Sequence, residues 1–184
     1  MKKLLIMAAM VLSSVGAFAQ YSAGDITIQP KVGLNCASVT DDVDGDYKTG
    51  FAIGAEAEYH INKLIGISGG LLYSTQGFKK ELRDNTNKTY SPGYLNIPVL
   101  INFYVAKGLA VKAGLQPGFM VSKDDMDKLD DVKTFDLSIP VGISYEFANI
   151  CLDARYNAGV TKVFDHVDGN NSVFQLTLGY KFKL

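Results

Sequence analysis

The sequence predicts an all-β fold, an eight-stranded antiparallel up-and-down transmembrane β-barrel. Three observations predict it. Apolar and polar residues alternate with period two over eight successive segments. Each segment runs about ten to fourteen residues, whereas ordinary globular strands average ~5–6 and a tilted strand crossing a bilayer needs ~9–11. The connections alternate between short and long, the pattern of a barrel whose turns lie on one side of a membrane and whose loops lie on the other.

The segments follow in order. The first, about 26–39, sets Ile28, Pro30, Val32, Leu34 and Cys36 against Gln29, Lys31, Gly33 and Asn35. The second sets Phe51, Ile53, Ala55, Ala57, Tyr59 and Ile61 against Ala52, Gly54, Glu56, Glu58 and His60. The third places Ile65, Ile67, Gly69, Leu71, Tyr73 and Thr75 opposite Gly66, Ser68, Gly70, Leu72, Ser74 and Gln76. The fourth gives Leu95, Ile97, Val99, Ile101 and Phe103 on one face, with Tyr94, Asn96, Pro98, Asn102 and Tyr104 on the other. The fifth runs from Leu109 to Val121 against Lys112, Gly114, Gln116 and Gly118. The sixth runs from Phe135 to Phe147 against Asp136, Ser138, Pro140, Gly142, Ser144 and Glu146. The seventh alternates Ile150, Leu152, Ala154 and Tyr156 with Cys151, Asp153, Arg155 and Asn157. The eighth is the most regular: Phe174, Leu176, Leu178, Tyr180, Phe182 and Leu184 against Gln175, Thr177, Gly179, Lys181 and Lys183.

Between them, Asn62-Lys63, Ala106-Lys107-Gly108 and Ala148-Asn149 read as tight turns. Residues 40–48, 79–91, 122–133 and 162–171 read as longer polar loops.

The N-terminus addresses the compartment. Lys2 and Lys3 precede an apolar run over 4–15, and Ala17-Phe18-Ala19 follows. This is the order of a secretory signal peptide with an A-x-A cleavage site. Residues 1–19 are expected to be removed, leaving a barrel domain over 20–184. The rival, a membrane-anchoring helix, has too short an apolar run and no stop-transfer flank. Cys36 and Cys151, the two cysteines, fall on non-adjacent strands near opposite barrel ends, beyond the ~7 Å Cα reach of a disulfide. Two free thiols are expected.

A soluble lipocalin-type barrel would show the same alternation with its apolar face inward. Three features favour the membrane. Aromatic residues gather near both ends of the apolar face, with aliphatic residues between them, as in interfacial girdles. Tyr156 alone falls near mid-strand. The polar face is rich in Gly, Ala and Ser, where a soluble exterior carries long charged side chains. The chain ends on an aromatic-alternating strand that resembles the C-terminal signal read by the barrel-assembly machinery. The expected location is the cell outer membrane.

Five pieces carry a family likeness: KVGLNCASV at 31–39, LLYSTQG at 71–77, YLNIPVL at 94–100, GLQPGF at 114–119 and FQLTLGYKF at 174–182. Taken in register, they resemble the PorT-type outer-membrane β-barrel family common in Bacteroidetes, often labelled "porin family". The resemblance implies an eight-stranded outer-membrane barrel and names no substrate. Where the family often has Glu, this chain has Asn96, so no role of that carboxylate carries over.

The chemistry concentrates on the inward face. An eight-stranded barrel is just wide enough for side chains to fill it. Lys31, Glu56, Glu58, Lys112, Glu146, Asp153, Arg155 and Lys181 form the candidate lumen charge network, structural or gating, with His60, Asp136 and Lys183 on the same face. Lys31 is expected against Glu56 and Glu58. Lys112, Glu146, Arg155, Asp153 and Lys181 are expected to chain across strands five to eight. The plain reading is a salt-bridge network that closes the barrel, because buried charges must be paired. The functional reading is a narrow gated polar path.

Other candidates are weaker. His60 and His166 are the two histidines, and neither has a serine or aspartate partner in sequence, so no catalytic residue and no enzyme activity are expected. Asp42-Val43-Asp44-Gly45-Asp46 fails the EF-hand pattern, with Tyr47 and Ile53 at the sixth and twelfth positions. Asp124, Asp125, Asp127, Asp130 and Asp131 make the third loop acidic, and a solvated loop accounts for them. Lys79, Lys80, Arg83 and Lys88 make the second loop basic, which suits contact with lipopolysaccharide. No cofactor or metal is expected.

The net charge of −1 and the lack of a basic stripe argue against nucleic acid. The expected partners are outer-membrane lipid and lipopolysaccharide, the assembly machinery during biogenesis, and an unidentified protein. Three roles stay open: a structural or interaction barrel acting through loops and turns, a narrow porin-like channel for small solutes, and a component of a protein secretion system.

Overall fold

A computed structural model describes residues 21–40, 48–75, 79–81, 87–89, 93–122, 135–162 and 170–184. The strands are β1 (Ile26–Thr40), β2 (Lys48–His60), β3 (Ile65–Thr75), β4 (Lys79–Glu81), β5 (Asn87–Thr89), β6 (Gly93–Asn96), β7 (Val99–Ala106), β8 (Leu109–Ser122), β9 (Phe135–Phe147), β10 (Ile150–Lys162), β11 (Asn170–Tyr180) and β12 (Phe182–Lys183). β6 and β7 together form one stave, as do β11 and β12, so the barrel has eight. Every pairing is antiparallel, and each stave pairs with its sequence neighbours. The ring closes where β1 pairs with β11 from Lys31↔Gly179 to Thr40↔Asn170, and with β12 at Thr27↔Lys183 and Ile28↔Phe182. The fold class read from the sequence holds.

Period-two alternation becomes two surfaces because successive Cβ atoms point to opposite faces of a strand. The outer surface is the apolar one: Val32, Leu34, Ile53, Leu71, Leu115, Ile143 and Leu178 are each about half-exposed. The inner surface is polar, with Lys112 at 2% and Arg155 at 1% exposure. This inverts the arrangement of a soluble barrel. Phe135 and Phe147 bound the outward face of β9. Twelve residue steps at ~3.4 Å, tilted by ~45°, give ~29 Å of height, close to the ~30 Å of a hydrocarbon core. Tyr156 stands opposite Phe174 in the ladder, and its hydroxyl donates to Ser172 Oγ at 3.0 Å, so its polar tip is satisfied at the strand surface.

Proline interrupts the ladders where its missing N–H would have donated. The β1–β11 pairing skips Gln29 and Pro30. The β8–β9 pairing skips the positions around Pro140. Pro98 separates β6 from β7, yet the stave continues, because Ile97 N–H donates to Pro117 O at 2.8 Å and Gly70 N–H to Pro98 O at 3.1 Å.

The short connections match the sequence reading. Ala148 and Asn149 join β9 to β10 with φ of 47° and 70°, the double positive φ of a type I′ hairpin turn. Gly108 takes φ of 73° between β7 and β8. There, a Cβ would collide with the Glu146 carbonyl oxygen. The long loop between β3 and β6 differs from the expectation of plain loop: it carries a hairpin of its own, β4 paired with β5. Cys36 and Cys151 are free thiols, the first exposed and the second buried.

Candidate functional site

The eight candidate residues all point into the lumen and separate into two groups. The first sits across the middle. Arg155 of β10 is its centre. Its guanidinium forks onto Glu56 of β2, with Nη1 and Nη2 at 2.6 and 2.8 Å from the two carboxylate oxygens. Its Nε and Nη2 donate to Asp153 at 2.6 and 2.9 Å. Lys31 of β1 reaches Glu56 at 2.8 Å and Asp153 at 3.7 Å, and Lys112 of β8 reaches Asp153 at 2.7 Å. Three cations therefore face two carboxylates, joining four staves by charge-assisted contacts, those of Arg155 bidentate.

The second group fills the short-turn end, which is the periplasmic end in this architecture. Glu58 accepts from Lys181 at 2.8 Å, Tyr104 at 2.7 Å and Asn102 at 2.7 Å. Lys181 also lies 3.4 Å from Glu146 and donates to the Tyr104 hydroxyl at 2.9 Å. Tyr21, from the segment before β1, donates to both Glu146 oxygens at 2.6 and 2.7 Å. Burial pushes its phenol well above the ordinary tyrosine range, so it remains a donor. Its ring stacks on His60, centroids 3.9 Å apart and planes 17° apart.

One cation and two carboxylates make this group the electrostatic complement of the first. Across the eight residues four positive charges balance four negative ones, as burial requires.

Space for these long side chains comes from glycine. Glu56 crosses Gly70, where a Cβ would sit 2.5 Å from Glu56 Cγ. Arg155 crosses Gly142, where a Cβ would sit 2.9 Å from Arg155 Cγ and collide with the Ala154 carbonyl. Gly66 does the same for the Glu58 carboxylate. We expect Gly142→Val to cost about 1–3 kcal/mol, the usual cost of overpacking, measured by urea unfolding of the barrel in lipid vesicles. Gly69 faces open space, and Gly69→Val should cost much less.

Several expectations are corrected. Lys31 pairs with Glu56 but not with Glu58, which belongs to Lys181. The chain expected from Lys112 to Lys181 divides, because Arg155 bonds across the lumen to Glu56 of β2 and Asp153 takes Arg155, Lys112 and Lys31. Lys183 does not enter the lumen. Its side chain is 56% exposed and pairs with Asp25 at 2.6 Å, because the last strand runs past the rim, where both faces meet water. That bond, with the Ser22 N–H, holds the Asp25 carboxyl below the usual carboxylate range. Asp136 is partly buried and pairs with Gly118 on the neighbouring strand toward the long-loop end. His60 is buried, 4.0 Å from Glu58.

Tyr21 was missed, because it precedes the periodic segments and has no parity to read. His166, the aspartates at 42–46 and 124–131, and Arg83 lie outside the described residues, as do the side chains of Lys79, Lys80 and Lys88.

Solved structures share the fold. The outer membrane protein OprG from Pseudomonas aeruginosa has a TM-score of 0.54 at 14% identity, covering 90% of this chain and 99% of that one. The Yersinia pestis outer membrane protein Ail in a phospholipid nanodisc has a TM-score of 0.52 at 18% identity, covering 86% and 99%. Neisserial surface protein A has a TM-score of 0.51 at 18% identity, covering 86% and 97%. No curated protein sequence matches the chain. Residues 5–182 match the outer membrane protein beta-barrel domain family. With an apolar exterior, a charged lumen and alternating turns and loops, the chain belongs to that family and resides in the outer membrane.

Proposed function

We propose that the protein is a non-enzymatic outer-membrane barrel with a closed lumen, which works as a structural or interaction element through its loops and turns. One observation carries this reading. The mid-lumen group spans the interior from β1 and β2 to β8 and β10 with direct contacts of 2.6–2.8 Å, leaving side chains where a solute would pass. The finer resemblance to PorT-type barrels of Bacteroidetes supports a secretion-system component as a special case. The signal peptide, with cleavage after Ala19, supplies export. Lipopolysaccharide at the loops and the assembly machinery at the C-terminal strand are the partners this reading implies.

The test is single-channel conductance of the refolded residues 20–184 in a planar bilayer, on a sample shown to be folded by heat-modifiable gel mobility. We expect a folded, electrically silent barrel. Reproducible conductance steps that change with Glu146→Gln or Arg155→Gln would overturn the closed lumen and establish the narrow solute channel.

A further inference from the structure

We propose that the short-turn mouth of the barrel contains a binding site for a phenol, formed by His60, Tyr104, Glu146 and Lys181 and occupied in cis by Tyr21. Each part of a phenol is matched. The hydroxyl meets a carboxylate that accepts at both oxygens, at 2.6 and 2.7 Å. One ring face lies on the His60 imidazole at 3.9 Å. The Tyr104 ring stands at 58° to it, 5.7 Å away. The Lys181 ammonium lies 5.1 Å from the ring centroid, within cation–π range. Tyr21 is 6% exposed and His60 0%, so the ring seals this end.

The occupant is tethered, not woven into the barrel wall. Tyr21 lies outside β1. Its segment is held by two backbone bonds, Gly24 N–H to His60 O at 2.8 Å and His60 N–H to Asp25 O at 2.9 Å, and by the Asp25–Lys183 pair at the rim. Gly24 turns the chain with φ of 90°, a conformation suited to glycine. Short segments outside the sheet and held to it by few contacts are the parts of a fold that open at lowest cost. Tyr21 is thus the site's resident occupant, and the mouth carries a seal in series with the mid-lumen ion pairs. The inference rests on the closed-lumen reading only in taking the mouth as the route to the thiol that reports on it.

Cys151 is that thiol. It is 1% exposed and sits directly across the ladder from Glu146. Cys36→Ser leaves it as the single cysteine. In vesicles, modification of Cys151 by a charged, membrane-impermeant methanethiosulfonate should be slow with Tyr21 in place. In Tyr21→Ala it should accelerate about tenfold or more, since reactivity follows the exposed population. Added p-cresol, the tyrosine side chain without its backbone, should restore protection in a saturable way. Tyr21→Phe keeps the ring and loses the bond to Glu146, and it should accelerate only a few-fold.

A folded Tyr21→Ala barrel whose Cys151 reacts no faster would overturn the seal. Acceleration that p-cresol does not reverse would overturn the site. A Tyr21→Phe barrel as protected as the parent would remove Glu146 from it and overturn the phenol assignment, even if Tyr21→Ala does not fold. Conductance of the unmodified barrel would refute the closed lumen and, because the two lie in series, the seal with it; a silent barrel whose Cys151 reacts equally fast with and without Tyr21 would refute the seal alone.

Discussion

Asp153→Asn is expected to be the most damaging of the lumen substitutions, lowering the unfolding free energy by about 3–5 kcal/mol, the range for an uncompensated buried charge. The charge count explains why. Asp153 takes Arg155 at 2.6 Å, Lys112 at 2.7 Å and Lys31 at 3.7 Å. Removing its charge leaves those three cations around Glu56 alone, all of them buried. Lys31→Met tests the converse. It keeps an unbranched stem of similar length, leaves Glu56 with the Arg155 fork, and brings the mid-lumen group to two cations and two carboxylates. Its cost should be less than half that of Asp153→Asn. Both are read from urea unfolding in vesicles, and equal losses would show that charge is balanced over the whole lumen and not within this cluster.

That balance was legible in the sequence as a total, not as a set of bonds. Parity along each strand placed Lys31, Glu56, Lys112, Asp153 and Arg155 on one face, because a strand has only two. It could not say which residue meets which, since a long side chain in a narrow barrel crosses the interior. Arg155 thus pairs with Glu56, from a stave far away in sequence, and the glycines at 70 and 142 that let these side chains lie flat read only as small lumen residues. Parity also fails at the ends of staves. Lys183 keeps the inward phase but stands at the rim in water, and Tyr21 has no periodic neighbours to set its phase although it fills the mouth. The two-stranded extension of β4 and β5 was read as plain loop because its polar composition hides the strand pattern. Alternation reports a strand when its two faces see different media, and beyond the membrane they do not.

Val141→Arg is expected to cost about 2–4 kcal/mol, the measured range for a cation at the bilayer midplane on the lipid face of a barrel. Val141 lies six residues from each of Phe135 and Phe147, the aromatics that bound β9, and points outward at 51% exposure. Phe147→Arg puts the same charge at the short-turn rim, where the side chain is 71% exposed and the guanidinium reaches headgroups and water. Its electrostatic cost should be ~0–1 kcal/mol. The pair separates membrane from soluble barrel without reference to any relative. On the surface of a soluble protein, both arginines would be hydrated and the two costs would be alike. In lipid the cost must follow depth, because the only route to water from Val141 is along the barrel wall. Unfolding in vesicles of longer acyl chains should widen the gap, since a thicker core moves Val141 further from water while Phe147 stays at the interface.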